Sequence, residues 1–284
     1  MNDRRLRRPS AVRSVRIGDL RVSYVPDGAM LLRPPGPGPR TADGTPSAHG
    51  PYLNDTARLV ANTGGLLVQN GSRSLLIDAG FGPHSAPEDP GHPYLGTVHG
   101  GSLLDNLVLL GTAPEQIEVV ALTHLHADHI GWACVVPPRF TRATFAVPES
   151  EWENRHLVAG LSSVAVAAVE ARIRLVVPGE EVFPGVRALA LPGHTAGHTG
   201  FTITSRGERL LAFGDALHSP FQVRHPEWFT APDSDPSRSE VQRRRLIAEL
   251  GQPGTLGFGI HFADVVFGRV VPHGRDGGAD WHPV

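Results

Sequence analysis

The chain has 284 residues, 40% hydrophobic and 19% charged, with a formal net charge of -2, which is the balance of a globular protein with enough material for a sizeable core. That charge gives no general attraction to phosphate backbones and excludes nucleic acid as the main partner. A single cysteine, Cys134, excludes an intrachain disulfide, and the absence of lysine excludes lysine-based chemistry.

The opening stretch MNDRRLRRPSAVRSVRIG has paired arginines without the apolar run of a signal peptide. No later segment approaches the roughly 18 apolar residues of a membrane span. The expectation is a cytoplasmic protein with no membrane partner, a flexible arm over residues 1–14, and one domain over 15–284. LRVSYVPDG alternates as a half-buried strand closing on an Asp-Gly turn, and a Pro/Gly-rich stretch follows from Leu32 to Pro51. GGLLVQNGSRSLLIDAGFG reads as a hairpin with Asp78 at the end of its second strand, and residues 82–101 as an irregular loop able to cover a pocket. A helix is predicted from Ser102 to Gly111, where glycine suits the left-handed cap, and IEVVALTH as a buried strand. SEWENRHL and SSVAVAAVEARI read as helices, IRLVV, VRALALPGH, GFTITS and RLLAFGD as strands. SRSEVQRRRLIAEL reads as a serine-capped helix and TLGFGIHF as the last strand. Strands broken by helices, with polar residues gathered at strand ends, suggest a layered α/β architecture.

The densest polar cluster is HLHADH, at the exit of the apolar run IEVVALT. Four polar side chains at such a point cost desolvation unless something compensates. Neutral imidazoles and carboxylates are the ligands that zinc and its neighbours prefer, so a bound metal is the compensation this pattern suggests. LPGHTAGHTG, FGDALH and FGIHF repeat the arrangement: an apolar strand ends on His194, on Asp215 and on His261.

Together these four motifs resemble the metallo-β-lactamase fold superfamily of metal-dependent hydrolases, over residues 15–271. The resemblance implies a four-layer αββα sandwich with a two-metal site at one edge of its sheets. Carried over by position, His124, His126 and His194 bind the first metal, Asp128, His129 and His261 the second, and Asp215 bridges them. The implied cofactors are two divalent ions, zinc first, with iron and manganese accepted by the same ligands. A hydroxide shared by two such metals is nucleophilic at neutral pH. The family also implies a proton-shuttling role for Asp128 and a homodimer.

THLHADHIGW, PGHTAGHTG and FGDALHSPFQ are most similar to the branch of N-acyl homoserine lactone lactonases and methyl parathion hydrolase. Those lactonases commonly carry a tyrosine three residues after the bridging aspartate, where this chain has His218. The catalytic candidates are accordingly Asp128, Asp215 and His218. His198 and Asp78 are expected to support ligands rather than touch metal. Trp132 and Phe262 flank ligand positions and are read as pocket lining or core. The eight remaining histidines, His84, His92 and His225 among them, are expected in solvent. The reading is a hydrolase of a small ester or lactone; β-lactam, thioester and organophosphate hydrolysis are the alternatives, and metabolite binding without turnover is the non-catalytic one.

Overall fold

The computed structural model describes residues 3–34, 50–158, 160–228, 232–273 and 278–284. Most of the Leu32–Pro51 stretch therefore lies outside the described residues. The first half contributes strands β1 (Arg13–Ile17), β2 (Leu20–Leu32), β3 (Leu59–Asn70), β4 (Arg73–Ile77), β5 (Ser85–Ala86), β6 (Leu95–His99), β7 (Val119–Ala121), β8 (Thr144–Pro148) and β9 (Ile173–Val176). They pair in the order β5-β6-β2-β3-β4-β7-β8-β9, with β1 on β2. The second half contributes β10 (Glu181–Phe183), β11 (Val186–Ala190), β12 (Thr199–Ser205), β13 (Glu208–Ala212), β14 (Thr255–Phe258), β15 (Phe267–Pro272) and β16 (Ala279–Pro283), paired in chain order.

Two buried layers follow from which faces of these strands are apolar. Tyr24, Leu66, Val68 and Leu75 of the first sheet meet Phe201, Ile203, Leu210 and Phe258 of the second. Each such side chain, withdrawn from water, stabilises the fold by about 2 kcal/mol. The other face of the first sheet packs Leu67, Leu76 and Phe145 against α1 (Leu103–Leu109) and α2 (Ala127–Ile130), with α3 (Glu149–Glu153) and α4 (Ser163–Glu170) beyond. The far side of the second sheet packs Leu211 and Trp281 against α5 (Phe221–Arg224) and α6 (Pro236–Leu250). Helix, sheet, sheet, helix is the four-layer αββα sandwich expected from the sequence. No helix among the described residues is long and apolar enough to cross a membrane.

Several local expectations are corrected. Asp27-Gly28 is a bulge inside β2 rather than a turn, with the pairing register shifting between Pro26 and Gly28. Asp27 turns inward and accepts from the backbone N–H groups of Phe81, Gly82, Gly101 and Leu103 and from Trp132 Nε1. A side chain at Gly28 would sit 1.9 Å from the His99 carbonyl, so only glycine lets the strand pass. Residues 82–101 are partly ordered as β5 and β6, because residues 95–99 alternate in burial and add to the free edge of β2. Asp235, not a serine, caps α6 by accepting from Arg238 N. TLGFGIHF is followed by β15 and β16 and is not the last strand.

The N-terminal arm also departs from the expectation of a flexible 1–14 segment. Arg4–Arg7 form a single 3-10 turn, Leu6 packs on the second sheet's outer cluster, and Arg8 and Arg13 both pair with Asp264. Composition gave no sign of this because the partner carboxylate is some 250 residues away.

Candidate metal centre

Each strand that approaches the common edge ends on a polar side chain, because there the backbone leaves the sheet and turns. β7 runs out through Leu122 and Thr123 to His124 and His126, and the short α2 turns Asp128 and His129 back toward them. The loop after β11 delivers His194, the 3-10 turn after β13 delivers Asp215, and the chain after β14 delivers His261. All seven residues named from sequence meet: His124, His126 and His194 gather with Asp215, Asp128 gathers with His129 and His261, and Asp215 also gathers with His218 and His261.

The first group comprises His124 Nε2 and His194 Nε2, which stand 2.9 and 3.0 Å from His126 Nδ1. Asp215 Oδ2 lies 3.8 and 3.4 Å from the same two Nε2 atoms. In the second, His129 Nε2 is 3.3 Å from Asp128 Oδ2 and His261 Nε2 is 3.7 Å from it. Asp215 Oδ1 completes this group at 3.2 Å from His129 and 3.0 Å from His261. The two oxygens of Asp215 thus face opposite groups.

The outer nitrogens of four of these histidines are already engaged. His261 Nδ1 donates to the Asn62 carbonyl at 2.8 Å, His129 Nδ1 to Asp78 at 2.9 Å, and His194 Nδ1 to Asp233 at 3.1 Å. Thr123 Oγ1 donates to Asp78 and so takes a hydrogen bond from His124 Nδ1 at 3.0 Å. With the outer nitrogens donating, each neutral ring turns a lone pair inward. Lone pairs and carboxylate oxygens then face one another; His129 Nε2, His261 Nε2 and Asp215 Oδ1 are buried without a hydrogen-bond partner. Such an arrangement is costly for protein groups alone and suits divalent cations. The donor set therefore fits the metals that the sequence implies.

The protonation pattern agrees. Burial drives His124 well below the usual imidazole range and His126 down to about 4. Burial opposes charge on His129 and His261 as well, but the facing Asp215 and Asp128 carboxylates outweigh it and hold both rings above the usual value. Asp215 is likewise buried, yet His261 and His129 keep it well below the ordinary carboxylate range. The facing carboxylates thus favour positive charge at His129 and His261, where the donor set would hold a cation.

His198 contacts the centre through its ring, which meets backbone groups on both sides. Its Nδ1 donates to the Leu191 carbonyl and its Nε2 accepts the Asp215 N–H, both at 2.9 Å. Both ring nitrogens are occupied, so His198 positions Asp215 and offers no ligand atom. His218 sits nearer, its Nε2 3.2 Å from Asp215 Oδ2 and its ring stacked on His261 at 5.4 Å.

Four supporting residues were not singled out from sequence. Glu151 is buried and accepts from Leu125 N, Thr195 Oγ1 and Gly197 N, which ties the two ligand-bearing loops together. Asp233 links His194 to the buried Arg243, 3.0 Å away. Asn62 carries His261. None of Glu151, Asp233, Arg243 or Asn62 stands in a recognisable spacing; only the buried setting of a charged or amide group marks them.

Beside the centre opens a cavity of about 710 Å³. His126, Asp128, Asp215 and His218 form one wall, and Met30, Leu32, Phe81, Leu95, Val98 and Phe221 line the apolar remainder. Residues 82–101 supply His92, Tyr94 and Leu95 to it, as a wall built on the sheet edge. His92, expected in solvent, lines this cavity and accepts from Leu95 N. Trp132 and Phe262 lie in the core and do not line it.

The model of the Metallo-beta-lactamase superfamily matches residues 65–256. An N-acyl homoserine lactonase from Bacillus sp is 27% identical over 200 residues, covering 66% of this chain and 76% of the relative. Among solved structures, AidC, a dizinc quorum-quenching lactonase in complex with a product N-hexanoyl-L-homoserine, superposes with a TM-score of 0.79 at 20% identity, over 97% of this chain and 98% of that one. The hydrolase AbOPH superposes at 0.74 and 23% identity, over 98% and 99%.

Proposed function

The chain belongs to the metallo-beta-lactamase superfamily of metal-dependent hydrolases, and from that premise we propose that it cleaves a small, neutral ester or lactone carrying an apolar tail, with two divalent ions, zinc foremost, at the centre described above. The observation that carries this reading is the facing of Asp215's two oxygens toward two separate groups of inward-turned donors. His124, His126 and His194 would hold one cation, Asp128, His129 and His261 the other, and Asp215 would bridge them. Divalent cations so held supply an activated water and Lewis acidity toward the substrate oxygen.

The remaining work falls to the chain's own groups. The apolar wall from Met30 to Phe221 accepts the substrate tail and expels water from it, which favours a neutral, partly aliphatic substrate. Arg33, a cationic group on that wall, pairs at 2.9 Å with Glu88, a carboxylate that it shares with Arg58. Asp128, a ligand side chain that is 19% exposed and lines the cavity, is placed to pass a proton to the leaving oxygen. His218 faces the same space where the resembling lactonases carry tyrosine, and with its Nε2 directed at Asp215 Oδ2 it is placed to contact the substrate beside the centre. The relative from Bacillus, itself an N-acyl homoserine lactonase, supports a lactone as the first substrate to test.

The test is a comparison of initial rates for zinc-loaded protein on an acyl homoserine lactone, an aryl ester, an aryl phosphotriester and a chromogenic cephalosporin, with His261→Ala as background. The expected result is a kcat/KM on the order of 10⁴ M⁻¹s⁻¹ on the lactone or ester, falling near background in the variant. Preferential turnover of the cephalosporin or phosphotriester would overturn the substrate class. Equal, weak rates in both proteins on all four would overturn the catalytic reading.

A further inference from the structure

His261 closes the second ligand group from a part of the chain beyond the matched residues 65–256, and residues on either side of it are gripped by the N-terminal arm. Asp264, three residues on, has a side chain only 2% exposed. Arg8 grips its Oδ2 through Nε at 3.0 Å and a terminal nitrogen at 2.7 Å; Arg13 grips Oδ1 in the same way at 3.0 and 2.6 Å. Ser10 adds its hydroxyl at 3.1 Å, and Asp264 N donates to the Arg5 carbonyl. Two forked guanidinium contacts on one carboxylate fix its orientation as well as its charge.

The arm reaches the other flank of His261 through Asn62. Ser10 N donates to Asn62 Oδ1 at 2.8 Å, and Asn62 Nδ2 donates to the carbonyls of Ile260 and Ala263 at 3.2 and 2.6 Å. The Asn62 carbonyl receives His261 Nδ1. Between these anchors Ala263 is held at a φ of 40°, a left-handed backbone that alanine does not keep unless its surroundings enforce it.

We infer that residues 5–13 are a positioning clamp for the second cation: by fixing Asp264 and Asn62 they hold the 260–264 turn in the one conformation that aims His261 Nε2 at Asp215 and Asp128. This rests on the ligand assignment proposed above. The first group, His124, His126 and His194, has no contact with the clamp among the bonds that hold it, so the two cations differ in their dependence on the arm.

The experiment is a Co²⁺ titration of full-length, metal-free protein, followed by visible absorption and by calorimetric stoichiometry. Wild type is expected to bind two equivalents. Arg8→Ala/Arg13→Ala is expected to bind one with unchanged affinity and the other about tenfold more weakly, the scale on which groups that orient ligands act. Arg8→Lys/Arg13→Lys is expected to recover part of the loss, since lysine keeps the charge without the fork. Asp264→Asn, which keeps the volume, is the second route to the same site should the double variant fail to fold. A merely structural arm would lower the melting temperature without separating the two equivalents; equal weakening of both sites, or of neither, overturns the inference. His261→Ala identifies the affected equivalent. If it loses one Co²⁺ while both arm variants keep two at wild-type affinity, the clamp alone falls. If His261→Ala itself binds two at wild-type affinity, the ligand assignment falls and the clamp with it.

Discussion

Replacing His198 with phenylalanine separates a positioning histidine from a ligand. The ring is fully buried, with one nitrogen donating to Leu191 O and the other accepting Asp215 N–H. Phenylalanine fills a similar volume but leaves both backbone groups buried and unpaired. Each unpaired group costs about 1–3 kcal/mol, so the metal-free variant is expected to unfold about 2–6 kcal/mol more easily. The backbone of Asp215, which serves both donor groups, also loses its anchor, so both cations weaken together. Denaturant unfolding of metal-free protein measures the first effect and Co²⁺ titration the second. A histidine that bound metal would give the opposite pattern, with one cation lost and metal-free stability nearly unchanged. The pH dependence supplies an independent sign. Burial pushes His198 down to about 3, against an unfolded value near 6.5. Between those values the unfolded chain takes up a proton that the folded chain refuses, so this group's contribution to wild-type stability falls as pH drops from about 6.5 toward 3. The variant lacks that term, and the gap between the two proteins is expected to narrow over the same window. A gap below about 0.5 kcal/mol at pH 7, the range of ordinary surface substitutions, would refute the reasoning.

Loading the centre with metal is expected to release protons, because facing carboxylates raise the pKa of His129 and His261 and a cation displaces any proton held there. Calorimetry in two buffers of different ionisation enthalpy reads this directly, and identical heats would contradict it. Gly197→Ala would place a methyl group 2.0 Å from Glu151 N, in the tie between the two ligand loops. It is expected to cost at least about 2 kcal/mol and to weaken metal binding through His194; unchanged unfolding and affinity would show that the loop has slack. Burial pushes the Cys134 thiol up to about 11. Its alkylation by iodoacetamide at pH 7.5 is expected to be about a hundredfold slower than that of an exposed thiol, in keeping with its smaller thiolate fraction. Labelling at the ordinary rate, followed by mass spectrometry, would show that the site opens to solvent.

What the sequence made legible was the part of the centre that repeats a local rule. His124, His126, His194, Asp215 and His261 stand where apolar strands end, and a histidine or aspartate at that point is visible against its neighbours. Hairpins were legible where glycine fixed the turn, as at Gly71 between β3 and β4. The Asp27-Gly28 pair misled for a physical reason: the same two residues that favour a turn also favour a bulge. The choice was made by five donors from residues 81, 82, 101, 103 and 132. Residues 82–101 misled similarly, since their short strands pair only because the edge of β2 is free to receive them.

The groups that the sequence did not reveal share one property: each acts across a long separation. Glu151 joins Leu125 to Gly197, Asp233 joins His194 to Arg243, and Asn62 joins Ser10 to His261. Every one of them is buried and engages a ligand or a ligand-bearing turn. Pinning the outer nitrogen of a ring turns its lone pair inward, as at four of the five histidines, so a set of donors drawn from four segments of the chain calls for a second set of partners. The second set need not follow any spacing, because each partner has to match one ligand rather than its neighbours. On the ligand assignment proposed above, the legible residues point to the family, whereas the illegible partners are expected to tune how tightly each cation is held. Differences between this chain and its relatives in metal affinity are accordingly expected at positions such as Asn62, Asp233 and Asp264 rather than at the histidines, and exchange of Asp233 for asparagine with no change in the affinity of the His124, His126 and His194 site would count against that division.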